Sequence, residues 1–519
     1  MLSKVAGCTV CAVLLLVLTD PVPAFLDDTL EAGPRPNVVI LMTDDQTVQS
    51  MRAMPRTRAL LGDAGATFTN SFVNNPRCCP SRATFLTGQY SHNHRVLTNG
   101  PPGGGWSRLR GTTDWLPTWL QRAGYHTVHL GKFLNHYGRD DPTEVPAGWD
   151  EWYATVDPTT YRYYGYTVNE NGTLRTYGRD HDPRWYVTDF AARRSAEIIE
   201  RLSQSAQPFF LSVAFLAPHT GGPREPGDPP GVGTPAVAPR HRGSFAAAPL
   251  PRGGSFNEAD VADKPAAARR PRLGTPAVAT IGAHYRQRLE SLVAVDEAVE
   301  TIVGALRAAG ELDRTLIVFT SDNGYLAGEH RLARGKAKVY EPAIRVPLLI
   351  RGPGVSPAVR PNQLVTNADL APTILDAARA TAGRVQDGRS LLPLVRDPSL
   401  GRGRPLLVEI ARGAFIRTTA IRTARWLYAE HIGGASELYD LSTDPQELTS
   451  LHAAPSHAGV RASLARSLHR LQKCRGIRCR ASLRLAGVRR RSSGPRLPAG
   501  SAKRCERPLL LRRQSCYSG

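Results

Sequence analysis

Two adjacent cysteines begin a short stretch that could hold a reactive nucleophile. Cys78 and Cys79 are followed by Pro80, Ser81 and Arg82, and proline is favoured in the first turn of a helix. This places Cys78 at a helix N-terminus, where unpaired N–H groups and the helix dipole attract anions. The stretch therefore predicts a nucleophile that receives an anionic substrate. The alternative is a thiol pair that only packs in the core or forms a strained bridge.

Two polar pairs elsewhere in the chain could bind a metal ion. Asp44 and Asp45 form one pair, and Asp322 and Asn323 form the other. Both offer oxygen ligands, which Ca²⁺ and Mg²⁺ prefer. Taken alone, an Asp-Asp pair is better explained by a helix cap or a turn. Because each pair follows an apolar run, the sequence favours a shared metal site.

Short apolar runs predict the strands that position these groups. Continuous runs of this kind suit strands buried on both faces of a parallel sheet, with helices on each side. Ligands bind such sheets at the carboxyl ends of the strands. Four runs end at Asp44-Asp45, at Gly131-Lys132, at Pro218-His219 and at Asp322-Asn323, so these groups are expected to converge. The predicted strands are 37–42, 125–130, 208–215, 315–320 and 346–350.

The remaining segments predict helices, an insertion and a smaller subdomain. Amphipathic patterns favour helices at 54–64 and 285–306. Residues 220–272 are rich in Pro, Gly, Ala and Arg, which is typical of a long surface loop or a disordered insert. Beyond about residue 402, β-like runs at 424–430 and 437–441 precede a helix at 459–472. The predicted fold class is α/β, a large, mostly parallel sheet between helices with a smaller C-terminal α+β subdomain.

The net charge of +21 over 519 residues is unevenly distributed. Residues 473–519 hold 14 Lys or Arg and one acid, Glu506, so this tail carries +13 and the rest about +8. The charge therefore gives no support for a nucleic-acid-binding face. A moderately basic body suits an anionic substrate, although an arginine-rich genome composition explains it as well.

The N-terminus and the cysteines predict a secreted protein. Residues 1–24 combine Lys4, an apolar run and a small-residue cleavage site at Ala24, as in a signal peptide. The alternative, a lipoprotein box ending at Cys8, precedes the apolar run instead of following it. No later stretch is long and apolar enough for stable membrane insertion. The spacing of Cys474 and Cys479 suits a single disulfide in an oxidising compartment, and no zinc-type spacing is present.

The pattern C-x-P-S-R at Cys78, followed by Leu86-Thr87-Gly88, resembles that of type I sulfatases of the alkaline phosphatase superfamily. The resemblance covers about residues 36–475 and includes a C-terminal pattern at 437–441 with Asp444-Pro445 and Glu447. It implies that Cys78 is oxidised to formylglycine by a formylglycine-generating enzyme. The hydrate of this aldehyde would attack sulfur and then release sulfate.

The resemblance also implies roles for the groups at the strand ends. Asp44, Asp45, Asp322 and Asn323 would hold Ca²⁺ together with the modified Cys78. Arg82 would hold the formylglycine, and Lys132 and Lys336 would bind the sulfate, with Lys338 as a weaker candidate for the second lysine. His219 would contact the substrate oxygen and act as general acid for the leaving alcohol.

One position departs from the pattern of many sulfatases. They carry a histidine two residues after the lysine of a Gly-Lys motif, where this chain has Leu134. The run 131–135, the Cys78-Cys79 pair and the run 90–94 look more like the glucosamine-6-sulfatase branch. Asn135 could then bind substrate through a hydrogen bond but could not transfer a proton. The branch implies a 6-O-sulfated N-acetylglucosamine substrate.

These observations predict a signal peptide at 1–24, a sulfatase domain at 36–400, an α+β subdomain at 401–475 and a basic, disordered tail at 476–519. The expected activity is hydrolysis of sulfate esters on a carbohydrate. An arylsulfatase, a phosphonate monoester or phosphodiester hydrolase and a non-catalytic secreted glycan binder are the alternatives. The expected partners are a sulfated carbohydrate or aryl sulfate and the formylglycine-generating enzyme, with no nucleic acid.

Overall fold

The computed structural model describes residues 34–225, 227–266, 268–400 and 403–482, so the expected signal peptide and most of the expected tail lie outside the described residues. The strands are β1 Asn37–Thr43, β2 Ala66–Thr67, β3 Ser71–Phe72, β4 His126–Lys132, β5 Glu151–Thr155, β6 Tyr166–Glu170, β7 Thr173–Tyr177, β8 Phe209–Ala214, β9 Thr315–Ser321, β10 Leu348–Arg351, β11 Val365–Thr366, β12 Leu406–Arg412, β13 Phe415–Arg422, β14 Trp426–His431 and β15 Ser436–Asp440. The α-helices are α1 Pro55–Thr57, α2 Cys78–Thr87, α3 Ser91–His94, α4 Leu116–Arg122, α5 Val187–Leu202, α6 Thr275–Ala308, α7 Glu341–Ile344, α8 Leu370–Ala378, α9 Leu392–Arg396 and α10 Ala458–Leu471.

Nine strands form the large sheet, in the order β2-β10-β9-β1-β8-β4-β5-β6-β7. The central strands β9, β1, β8, β4 and β5 are parallel to one another. Both edges are antiparallel. The predicted strand at 346–350 is found as β10, but it runs antiparallel to β9. The α/β prediction is confirmed.

Helices cover both faces of this sheet, as the apolar runs predict. Alternate residues of β1 point to opposite sides. Val39 and Leu41 pack with residues of α5 and α6, whereas Val38 and Ile40 pack with residues of α2, α4 and α8. The predicted helix at 54–64 is found as α1 and a π-helical turn, Arg58–Asp63. Helix α6 begins ten residues before its predicted start, at Thr275, with proline in its first turn.

The C-terminal part is an antiparallel sheet, β12-β13-β14-β15, with α10 packed on it. The predicted disulfide between Cys474 and Cys479 is confirmed. The expected tail begins later than residue 476, because Gly476–Arg480 forms a 3-10 helix. The Gly476 amide donates to Asp387 (2.7 Å), which ties this turn to the body. None of the described helices has the length and apolar character needed to cross a membrane.

The predicted loop at 220–272 packs against the body instead of standing free. Its side chains at Val232, Ala238 and Lys264 are buried. The Lys264 ammonium donates to the Leu448 carbonyl (2.9 Å), far along the chain. Composition alone does not reveal these contacts, because small and proline-rich segments can pack closely without regular structure. The segment is therefore packed onto the folded body and does not form a free surface loop.

Candidate active site

The carboxyl ends of four parallel strands bring the predicted site residues together. Asp44 and Asp45 follow β1, and Lys132 is the last residue of β4. His219 follows β8, and Asp322 and Asn323 follow β9. The Lys132 ammonium contacts Asp44, and the Asn323 amide donates to Asp45 (2.6 Å). The convergence expected from the sequence is therefore present.

Helix α2 places Cys78 at this edge of the sheet. Cys78 is the first residue of the helix, where the backbone N–H groups favour negative charge. Its sulfur lies 3.2 Å from Asp44 Oδ1 and 2.8 Å from Lys336 Nζ. Burial and the neighbouring Asp44 raise the pKa of the thiol, so an unmodified Cys78 stays protonated near neutral pH. Because the thiolate is the reactive form, the unmodified side chain is a poor nucleophile.

Arg82 lies one helical turn after Cys78 and braces the polar groups of the site. Its Nε donates to Asp322 Oδ2 (2.8 Å), and another guanidinium nitrogen donates to the Lys132 carbonyl (2.7 Å). Charge-assisted bonds of this kind in a buried site hold their partners firmly. In this structure Arg82 therefore contacts a carboxylate and the end of β4, and it joins α2 to two strand ends.

Buried cations balance the carboxylates. Burial alone would raise the pKa of Asp44, but the charges of Lys132, Lys336 and Arg82 oppose it and hold that pKa well below its usual range. The Lys336 ammonium contacts Asp45 as well as the sulfur of Cys78. Asp44 is therefore ionised. The ammonium groups of Lys132 and Lys336 lie where they could contact an anion bound at Cys78.

The arrangement of oxygen atoms fits a metal ion. Ligand atoms of Asp44, Asp45, Cys78 and His219 lie within 4.8 Å of one another. Asn323 Oδ1 is buried and has no hydrogen-bond partner among the described residues, which is costly unless a cation or water satisfies it. The two oxygens of Asp322, also a predicted ligand, accept from Arg82 and from the Asp45 amide (3.1 Å), and each keeps a further lone pair that could bind the ion. The unsatisfied oxygen beside two carboxylates suits a hard cation.

His219 is neutral near pH 7 and carries its proton on Nδ1. That nitrogen lies 2.6 Å from the Thr220 carbonyl, which can only accept. Burial lowers the pKa of His219 to about 4, against the opposing effect of Asp44 and Asp45. Its Nε2, 3.7 Å from Asp45, therefore offers a lone pair. In this state His219 can accept a proton at Nε2, and the imidazolium formed could then donate that proton, so the general-acid role expected from the resemblance stays a prediction.

Asn135 lies beside the site and is held there by Tyr161, a residue that belongs to no sequence motif. Its amide donates to the hydroxyl of Tyr161 (2.5 Å), and its Oδ1 is buried without a partner among the described residues. The Tyr161 ring lies 4.5 Å from Lys132 Nζ and 4.7 Å from the His219 ring. Leu134, in contrast, packs in the core. Tyr161 is thus a neighbour of Lys132 and His219, but it is a poor proton donor, because burial raises the pKa of its hydroxyl.

Arg288 is a second residue that sequence reasoning missed. It projects from α6, contacts the Asp45 carbonyl and donates to the Pro218 carbonyl (2.9 Å). Its guanidinium also lies 4.1 Å from the Tyr325 ring centre. Arg288 thus fixes the segments after β1 and β8 against each other. A lone arginine in a long helix gives no local signal of such a contact.

Comparisons with known proteins identify the family. The sulfatase family model matches residues 36–380, and the model described as N-sulphoglucosamine sulphohydrolase, C-terminal, matches residues 328–474. Human N-acetylglucosamine-6-sulfatase is 33% identical over 517 residues, which cover 90% of each chain. An arylsulfatase of Volvox carteri is 34% identical over 86% of this chain and 76% of its own.

Solved structures show the same fold. The structure of BT4656 in complex with its substrate D-glucosamine-2-N,6-O-disulfate has a TM-score of 0.69 and 24% identity, and covers 85% of this chain and 98% of that one. The likeness extends over the large sheet and the C-terminal sheet together. With the family match over most of the described residues, the chain belongs to the sulfatase family and is a sulfuric ester hydrolase.

Proposed function

We propose that the protein hydrolyses the 6-O-sulfate ester of N-acetylglucosamine units. The observation that carries this proposal is the 33% identity to human N-acetylglucosamine-6-sulfatase over 90% of both chains. The substrate bound in the BT4656 structure, a 6-O-sulfated glucosamine, agrees with it. Asn135 and Tyr161 lie next to Lys132, where they can contact the sugar that carries the sulfate.

We propose that Cys78 is converted to formylglycine by a formylglycine-generating enzyme. Hydrated formylglycine supplies one hydroxyl that attacks sulfur and a second through which sulfate is released. Lys132, which contacts Asp44, and Lys336, which contacts Asp45, bind the sulfate oxygens. Neutral His219 accepts the proton of the attacking hydroxyl at Nε2 and returns it to the oxygen of the leaving alcohol as the ester bond to sulfur breaks. Both steps need the helix N-terminus that presents residue 78 to the anion.

We propose that the metal is Ca²⁺, which Asp44, Asp45, Asp322 and Asn323 would hold together with the modified Cys78. Bound Ca²⁺ supplies positive charge that stabilises an attacking oxygen and a sulfate oxygen. The ion also satisfies Asn323 Oδ1, which is otherwise unpaired. The predicted signal peptide and the disulfide at Cys474 support secretion, because disulfides persist in oxidising compartments.

The test is sulfate release from N-acetylglucosamine 6-sulfate by protein made together with a formylglycine-generating enzyme. We expect release that Cys78→Ala abolishes. Cys79→Ala is the matched control, because Cys79 is an equally buried thiol that makes no contact with the metal ligands, and it should keep its activity. Release only from an aryl sulfate would replace the sugar assignment. Release only from a phosphonate monoester or phosphodiester would overturn the sulfatase proposal.

The metal is tested by a readout other than activity. At a Ca²⁺ concentration 100 times its Kd, we expect the free energy of unfolding to rise by about 2.7 kcal/mol. Asn323→Ala should lose most of this rise, since it removes the unpaired oxygen. An equal rise in both proteins, measured by denaturant unfolding after chelation and Ca²⁺ addition, would contradict the assignment of Asn323.

A further inference from the structure

A basic groove begins beside the site and runs along the C-terminal sheet. Its volume is about 1040 Å³. Residues of β12, β13 and β14 form one side, and the segments near Cys78 and Lys336 form the other. No carboxylate lies among the described residues that line it. The charged or titratable side chains in its walls are Arg77, Lys338, Arg412, Arg417 and His431.

The groove adjoins the site through two short segments of chain. Arg77 directly precedes Cys78, and Lys338 follows Lys336 by two residues. The Ala337 amide donates to the Pro76 carbonyl (3.1 Å), which joins these segments. The groove therefore begins one residue from Cys78 and two residues from Lys336 along the chain.

The cations of the groove have no partners in the protein. The side chains of Arg77, Lys338, Arg412 and Arg417 make no hydrogen bond or ion pair with any described residue. Arg77 Nε is buried and unpaired. Burial lowers the pKa of both Arg77 and Lys338, so their charges are partly desolvated at a cost. Partly buried cations that form no ion pair with a described residue fit an anionic ligand.

The carboxylate nearest this wall, Glu437, is already engaged. It accepts hydrogen bonds from the hydroxyls of Tyr340 (3.0 Å) and Tyr439 (2.5 Å). His431 Nε2 lies 2.7 Å from it as well. Glu437 forms no ion pair with the arginines on β12 and β13, although its charge raises the pKa of Lys338 against the effect of burial. Arg77, Lys338, Arg412 and Arg417 outnumber this one carboxylate, so the groove keeps a net positive charge.

We propose that this groove binds further sulfate or carboxylate groups on the same saccharide chain, away from the sulfate being hydrolysed. The proposal rests on the proposed function and deepens it, because the substrate becomes a multiply anionic oligosaccharide. Arg412 and Arg417 lie on neighbouring strands, and guanidinium groups bind sulfate and carboxylate through two parallel hydrogen bonds. Ile432, 63% exposed in the groove wall, offers apolar surface to a sugar ring.

The test compares two hexasaccharides of equal length that contain 6-O-sulfated N-acetylglucosamine. One carries only the scissile sulfate, and the other carries sulfate on every disaccharide. The measured quantity is the ratio of kcat/KM for the multiply sulfated to the singly sulfated compound. In Arg412→Gln/Arg417→Gln this ratio should fall about five-fold, as expected for two exposed charge pairs. Arg307→Gln/Arg466→Gln, which removes two exposed arginines outside the groove, should keep the ratio of the parent enzyme.

An unchanged ratio in the groove variant, or an equal fall in the control, would overturn the proposal. Failure of the proposed function is a separate outcome, recognised when the parent enzyme releases sulfate from neither hexasaccharide. In that case, the affinity of the multiply sulfated hexasaccharide for the Cys78→Ala protein, measured by calorimetry, tests the groove separately. The groove variant in that background should bind the multiply sulfated hexasaccharide about five-fold more weakly at low salt. Equal affinities would again overturn the proposal.

Discussion

Tyr161 contacts three of the groups that surround Cys78. Its ring lies against the Lys132 ammonium and the His219 ring, and its hydroxyl accepts from the Asn135 amide. Because Asn135 Oδ1 already lacks a partner, this single hydrogen bond fixes the orientation of the amide. Tyr161 therefore determines which atom of Asn135 faces the substrate.

Removing this hydroxyl tests that role. We expect Tyr161→Phe to lower kcat/KM about ten-fold, close to the free energy of one hydrogen bond, by leaving Asn135 free to rotate. Steady-state kinetics at equal formylglycine content measure the effect. Tyr164→Phe is the control, since its hydroxyl is buried without a partner among the described residues. A similar loss in both variants would mean that the Tyr161 hydroxyl has no special role.

At the scale of the elements, Gly131 lets β4 approach β8 closely enough to position Lys132. It has φ of 99°, a conformation that favours glycine. A Cβ at this position would lie 2.1 Å from the Ala214 carbonyl oxygen of β8. The residue before Lys132 therefore cannot carry a side chain unless the two strands separate.

We expect Gly131→Ala to lower the free energy of unfolding by about 2 to 4 kcal/mol, from backbone strain and from overpacking. Activity should fall further than stability predicts, because Lys132 moves with the strand end. Gly304→Ala in α6 is the opposite case, since nothing lies within 4 Å of its added Cβ. Its free energy of unfolding should rise by up to about 1 kcal/mol. Denaturant unfolding of both variants checks the pair. A Gly131→Ala protein as stable as the parent would refute the close approach.

The strands and their polar ends are predictable from local sequence, whereas the contacts across the site are not. Each predicted strand lies within two residues of an observed one, because continuous apolar runs permit little else. Tyr161 and Arg288 carry no such signal. Tyr161 contacts His219, which follows β8, and Arg288 contacts the Pro218 carbonyl, 70 positions earlier, and only the tertiary fold brings those segments together. The apolar pattern of β10 likewise does not indicate its antiparallel direction.

At the scale of the whole molecule, buried neutral histidines make stability depend on pH. Burial lowers the pKa of His94, His129 and His284 to about 3. His94 Nδ1 accepts from the Val96 amide (3.1 Å), so a proton there would meet a donor. Unfolded histidine titrates near 6.5. Below that pH the unfolded chain binds protons that the folded chain does not, so stability falls as pH falls from about 6.5 towards 3.

We expect the slope of unfolding free energy against pH to reach about 1.4 kcal/mol per unit for each of these histidines. At pH 7.5 the His94→Gln protein should be less stable than the parent, because glutamine replaces the hydrogen bonds of the imidazole imperfectly. Between pH 6 and 4 it should nevertheless lose less stability than the parent. Half-buried His457→Gln is the control. Equal slopes for the two variants, from denaturant unfolding at several pH values, would contradict the assignment to His94.

The complete burial of Cys78 also sets a time limit during synthesis. Its side chain has no exposed surface in the folded protein, and β1, which leads to Asp44, pairs with β9 from much later in the chain. Roughly 240 residues separate Cys78 from the end of β9, which ribosomes add in about 10 to 50 s. An enzyme that modifies Cys78 must reach it in that interval. Faster elongation would therefore lower the fraction of active molecules without altering a single contact in the finished fold.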